Sequence, residues 1–184
     1  PASGGKVIDA KGKHVYPGLI LSSSQLGLVE VNSVRATIDH TEIGLYNPNI
    51  RSIVAYNTDS KVIGTLRNNG ILFANVVPQG GTISGSSTVV QLDAWNYEDA
   101  AYAIDNGMQF YMPSMLARPG GGRFAAFFAQ MGGAPTDPVK QALETIEKVK
   151  QFFRDAKAWN AEPVHAEKNL KYEAVKPLFE KKQK

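Results

Sequence analysis

The chain has 184 residues, 43% hydrophobic and 20% charged, with 20 Lys+Arg against 17 Asp+Glu for a net charge of +3. That balance describes an ordinary globular chain, one domain by default and long enough to bury a real core. Cysteine is absent, which excludes disulfides, thiolate metal sites and a cysteine nucleophile from this segment.

Residues 15–20 form a short apolar run suited to a buried parallel strand. Residues 21–51 show no sustained period, and so long a connection inside a compact domain is usually functional or partly structured. Asp59 or Ser60 can cap a helix with Val62, Ile63 and Leu66 on one face and Gly70 placed to end it. A second strand is expected over 71–77, a glycine-rich loop over 78–87 and a further strand over 88–92. Asn96 suits the cap of a short helix with Glu98 and Asp99 in its first turn.

Further on, residues 108–112 read as a strand. Two glycine clusters, at 119–122 and 132–135, bracket the apolar segment 124–128 and suggest a mobile excursion. A long helix is expected over 138–159, because Thr136 or Asp137 can cap it, Pro138 suits its first turn, and Val139, Leu143, Ile146, Val149 and Phe153 recur at helical spacing. Residues 169–182 read as helical, with Pro177 arguing for a break or kink, and no internal repeat is evident.

The segment Pro17-Gly18-Leu19-Ile20 followed by Leu21, Ser23 and Gln25 resembles the first barrel strand of the metal-dependent amidohydrolase superfamily. There Pro-Gly-Leu-Ile is followed by Asp-x-His-x-His, whose two histidines bind the catalytic metal. The likeness continues through Leu26-Gly27-Leu28-Val29-Glu30, Asn47-Pro48, Asn69-Gly70-Ile71, Pro78-Gln79-Gly80-Gly81, Ile83-Ser84-Gly85 and Asp99-Ala100, which resemble an imidazolonepropionase-like branch. Upstream, Val7-Ile8-Asp9-Ala10-Lys11-Gly12-Lys13 resembles the linker that leads from the family's small β-sandwich into the barrel.

This resemblance implies an α/β fold, the N-terminal part of a (β/α)8 TIM-type barrel. Residues 1–14 would be the linker from a missing N-terminal β-sandwich and 15–184 the first part of the barrel. A complete barrel takes about 250 residues, so a fragment is expected. Members of the branch often carry export signals, which implies the bacterial cell envelope, with the cytoplasm as the alternative.

The departures at Ser23 and Gln25 bear on chemistry. Residues two apart on a strand point to the same side, so a His-x-His pair can present two imidazoles to one ion. A serine hydroxyl and a carboxamide are poor partners for zinc, which prefers imidazole, thiolate or carboxylate. Ser23 and Gln25 are therefore not expected to bind metal. No cofactor is expected from this segment, and zinc would enter through ligands on later strands or from another chain.

Of the three histidines, His14 and His165 read as surface or structural residues. His40 is more interesting, since Asp39-His40-Thr41-Glu42 lies in the long connection, which in a barrel follows the C-terminal end of strand one. Asp39, His40 and Glu42, together with Gln79, Gly80, Gly81, Ser84 and Gly85, are the candidate ligand loops. Backbone N–H groups of the glycine segment could hold an anion, although it lacks P-loop spacing and positive φ is the simpler role for its glycines. Ser22, Ser23 and Ser24 have no identifiable base partner. Phe127, Phe128, Phe152, Phe153 and Trp159 read as core rather than as a base-stacking platform. Lys176, Lys181, Lys182 and Lys184 read as a solvated helix end, so no nucleic acid is expected. No apolar run approaches the ~20 residues of a membrane span.

Three roles follow as expectations. The first is a hydrolase acting on non-peptide C–N bonds, with groups beyond Lys184 completing the site. The second is a non-catalytic barrel binding a ligand or a partner such as an amidohydrolase paralogue. The third is a structural subunit whose open edge is completed by the remainder of the barrel or by another chain.

Overall fold

The computed structural model describes residues 5, 7–116, 137–165 and 167–184. Strand β1 spans Leu19–Ser24, later than the expected 15–20. Pro17 has no N–H to donate, and pairing opens where Leu19 N donates to Gly70 O at 2.8 Å. Val15 and Tyr16 upstream are exposed.

Strand β2, Ile71–Val76, runs parallel to β1, with Leu19 opposite Ile71 and Ser24 opposite Val76. The crossover carries helix α1, Lys61–Asn68, which buries Ile63 against the sheet-side core. Ser60 stands at its N-cap without capping it, because its Oγ donates to Glu30 Oε2 at 2.9 Å instead. This β1-α1-β2 unit is the kind a barrel repeats. From there the pattern changes.

Strand β3, Ile83–Gln91, returns antiparallel to β2. After the short helix α2, Tyr97–Ala100, capped as expected by Asn96 Oδ1 on Asp99 N at 2.7 Å, strand β4, Ala101–Phe110, pairs antiparallel to β3. The four strands form one mixed sheet in the order β1-β2-β3-β4, and no closed barrel forms among the described residues. Two expectations are thereby corrected. Half of the glycine-rich segment 78–87 is strand, because its residues 83–87 are buried between neighbouring segments. Strand β4 begins at Ala101, well before the expected 108. Between the pairs Ser87–Gly107 and Val89–Ala103 the strand bulges, with Asp105 at φ 51°.

The main core lies among Leu26, Leu28, Ile53, Tyr56, Ile63, Ala74, Val76, Val90, Leu92 and Ala100. Helix α3, Pro138–Ala161, is capped by Asp137 Oδ1 on Val139 N at 2.9 Å. Its buried residues are Ala142, Val149 and Ala156, not the whole expected stripe. Val139 and Leu143 are 42% and 52% exposed, since alanines permit the closer approach and set the buried face. Over 169–182 the chain is helical and broken, as expected, into α4, Leu170–Ala174, and α5, Lys176–Phe179, with Pro177 in the first turn of the second. Phe152 stacks on Tyr46 at 5.2 Å and tilts against Tyr172 at 5.5 Å, tying α3 to the long connection and to α4. Phe127 and Phe128 lie outside the described residues.

Candidate functional site

Strands β1 and β2 end at Ser24 and Val76, and the segments leaving those ends come together. In parallel α/β units this is the side on which ligand sites are built, because successive crossovers deliver their loops there. The connection after β1 lies along the segment after β2 and along the first half of β3. Thr41 pairs with Gln79, Tyr46 with Ile83 and Arg51 with Ser86, all in the parallel sense. Gln79 N donates to His40 O at 2.6 Å, Thr82 N to Leu45 O at 2.8 Å and Ser86 N to Ile50 O at 2.7 Å. The two candidate loops, Asp39 to Glu42 and Gln79 to Gly85, are thus brought together.

Glycine makes this splice feasible. Gly81 has φ 65°, and a Cβ there would lie 2.7 Å from Gly44 O. Gly85 has φ 123°, and a Cβ there would overlap the Ile50 carbonyl. The N–H groups of Gln79, Thr82 and Ile83 are bonded to carbonyls of the connection, and Ser84 Oγ donates to Gly80 O.

Beside the splice lies a cleft of about 370 Å³ whose walls include Asp39, His40, Glu42, Asn49, Arg51 and Ser52. Three of these carry a buried side-chain atom without a hydrogen-bond partner: His40 Nδ1, Asn49 Oδ1 and Ser52 Oγ. A buried polar group left unpaired costs about 1–3 kcal/mol, so their concentration around one cleft marks it. Asp39 and Glu42 are exposed carboxylates at its wall, and Glu42 Oε1 accepts from Ile43 N at 2.8 Å. The Arg51 guanidinium is held by Asp105, Nε to Oδ1 at 3.0 Å and Nη2 to Oδ2 at 2.9 Å. Tyr111 steadies the wall from behind, its hydroxyl donating to Pro78 O at 3.2 Å, and burial pushes that phenol above its ordinary pKa.

Of the cleft-lining residues, sequence reasoning named Asp39, His40 and Glu42 as candidates and did not name Asn49, Arg51 or Ser52, nor Asp105 behind Arg51. The neighbouring Asn47-Pro48 was one available signal. The Arg51–Asp105 pair had none, because its members are 54 positions apart.

The donor set at the first-strand positions does not fit a metal. Ser23 is exposed at the end of β1, whereas Gln25 lies past it and lines a different cleft with Leu26 and Glu30. The Glu30 carboxylate is already taken by Ser60 Oγ and by Asn57 Nδ2 at 3.2 Å. Among the described residues no group of three or more His, Cys, Asp or Glu is placed to hold an ion. His14 is exposed near Tyr16, and the His165 ring stacks on Trp159 at 3.7 Å with Nδ1 3.7 Å from Glu162.

No family model matches the chain, and no curated protein matches it in sequence. In fold it is similar to an amidohydrolase from Thermotoga maritima, with a TM-score of 0.70 and 18% identity over 100% of this chain and 47% of that one. The chain therefore has the α/β fold of part of an amidohydrolase and spans about half the length of that neighbour. No described helix is long and apolar enough to cross a membrane.

Proposed function

We propose that this chain is the first part of an amidohydrolase-type barrel of the imidazolonepropionase-like branch. Its cleft beside β1 and β2 would receive a small polar substrate in a longer protein that hydrolyses non-peptide C–N bonds. The observation that carries this reading is the gathering of His40 Nδ1, Asn49 Oδ1 and Ser52 Oγ, all unpartnered, around one cleft at the strand ends where such folds build sites. Within this chain the work is binding and orientation. Asn49 and Ser52 help to form the wall, and the Arg51–Asp105 pair fixes the segment that carries them. No catalytic step is assigned to Ser23 or Gln25.

A second reading is favoured by those two residues. A barrel that keeps the core and loops while losing the first metal pair can serve as a non-catalytic ligand-binding or partner subunit. The outer edges of β1 and β4 fit either reading. Leu19 and Ile20 are 63% and 66% exposed and Tyr102 is 71% exposed, so the rest of a barrel or another chain, such as an amidohydrolase paralogue, would cover them. For location, the bacterial cell envelope stays the proposal and the cytoplasm its alternative.

Metal analysis of the full-length protein, with an assay of cyclic and linear amides, tests the choice. Stoichiometric zinc with amide turnover supports the hydrolase through later-strand ligands. Absence of turnover with a ligand still held in the cleft leaves the binding subunit.

A further inference from the structure

We propose that Asn106 is a site of covalent self-modification, at which the backbone nitrogen of Gly107 converts the carboxamide to aspartate and isoaspartate. This chemistry is independent of what the cleft binds.

An asparagine followed by glycine is the pair in which the next backbone nitrogen most easily reaches Cγ, because no Cβ obstructs it and glycine adopts the widest range of φ. The chain holds two such pairs, Asn69-Gly70 and Asn106-Gly107. In the reaction Gly107 N bonds to Asn106 Cγ and gives up its proton, the Cγ–Nδ2 bond breaks, and ammonia leaves carrying that proton. Water then opens the cyclic imide at either carbonyl. One product is aspartate; the other is isoaspartate, with the main chain rerouted through the former side chain. Water is the sole co-reactant, and nothing is oxidised or reduced.

The fold separates the two pairs. Both asparagines are exposed, so access does not decide between them. Asn69 closes helix α1, where its Nδ2 donates to Thr65 O at 2.8 Å and the attacking nitrogen, Gly70 N, donates to Arg67 O at 2.9 Å. Both bonds must open before the ring can close. Asn106 instead lies in the bulge of β4, where residues 104–106 have no partner on β3 and Asp105 stands at φ 51°. The ladder that would hold an extended strand straight is interrupted there. The new carboxylate would stand beside Asp105, which holds Arg51 in the cleft wall.

The test is peptide mapping by mass spectrometry of the full-length protein during incubation at mildly alkaline pH, with isoaspartate separated from aspartate by chromatography. Conversion at Asn106 is expected to run about tenfold faster than at Asn69, the order set by the two hydrogen bonds that hold the Asn69 site. In denaturant the two rates should converge. Gly107→Ala is the second probe. Its Cβ would have Lys184 O at 3.4 Å and Ser87 Oγ at 3.8 Å as nearest neighbours, ordinary contacts, so the fold should survive while conversion slows. Equal rates in the folded protein, faster conversion at Asn69, no conversion at Asn106, or a folded Gly107→Ala variant that converts as fast as the parent overturns the proposal.

Discussion

Arg51 grips Asp105 through a two-point contact, Nε–Oδ1 at 3.0 Å and Nη2–Oδ2 at 2.9 Å, joining the cleft wall to the bulge of β4. Both side chains are part-exposed, at 46% and 38%, so their energetic coupling is expected to be modest. A double-mutant cycle of Arg51→Ala with Asp105→Ala should give about 0.2–1 kcal/mol. Arg51→Lys keeps the charge but loses the fork, and should recover less than half of it. A cycle giving zero would mean that the pair contributes nothing to the fold.

The turn after β1 depends on a glycine. A Cβ on Gly27 would lie 2.6 Å from Cδ2 and Cε2 of Tyr56 and 2.9 Å from Asn57 O, and φ there is 72°. Both the ring and the backbone resist. Gly27→Ala should therefore destabilise by more than about 2 kcal/mol in denaturant unfolding. A variant as stable as the parent would show that the turn relaxes freely.

Tyr56 itself supplies a pH signature. Burial pushes its phenol from the ordinary 10.0 to about 12. A raised folded-state pKa gives stability that is fully present below pH 10 and is lost as pH rises toward about 12, because the unfolded phenol ionises first. The loss should total roughly 2–3 kcal/mol. In Tyr56→Phe this alkaline slope should disappear, and an unchanged slope from pH 10 to 12 would assign it to other groups.

Gly85 and Gly70 separate strain from collision. Both have positive φ, 123° and 82°, but a Cβ at Gly85 meets the Ile50 carbonyl and one at Gly70 meets nothing within 4 Å. Gly70→Ala should cost about 1 kcal/mol. Gly85→Ala should cost more and also speed amide exchange at Ser86, whose N–H is bonded to Ile50 O at 2.7 Å. Equal effects would argue against the close approach of the two segments.

At the far end, Asn160 Nδ2 donates to Ala156 O at 2.8 Å and to Tyr172 O at 2.7 Å, fastening α4 to α3. Asn160→Ala should lower stability by about 1 kcal/mol and accelerate proteolysis between 162 and 169. Unchanged cleavage there would mean that the aromatic packing of Phe152 on Tyr172 suffices.

Local chemistry was legible wherever it settles the matter alone. Asn96 and Asp137 cap their helices as their sequence context requires, and β2 and α1 stand where the apolar pattern and Gly70 put them. That neither Ser23 nor Gln25 offers an imidazole was equally plain, since donor identity needs no coordinates. Asp39, His40 and Glu42 could be named as candidates, but not joined to Asn49 and Ser52.

What only the tertiary structure decided are features made by segments distant in the chain. The direction of β3 and β4, the strand character of Ile83-Ser84-Gly85-Ser86, and the choice of Ala142 over Leu143 as buried helix residue all follow from neighbours. The same holds for the left-handed Asp105 held by Arg51. Sequence fixes propensity, capping and available functional groups over a few residues. Pairing register, close backbone approach and charge partnership are set by packing, whose energy depends on which surfaces meet.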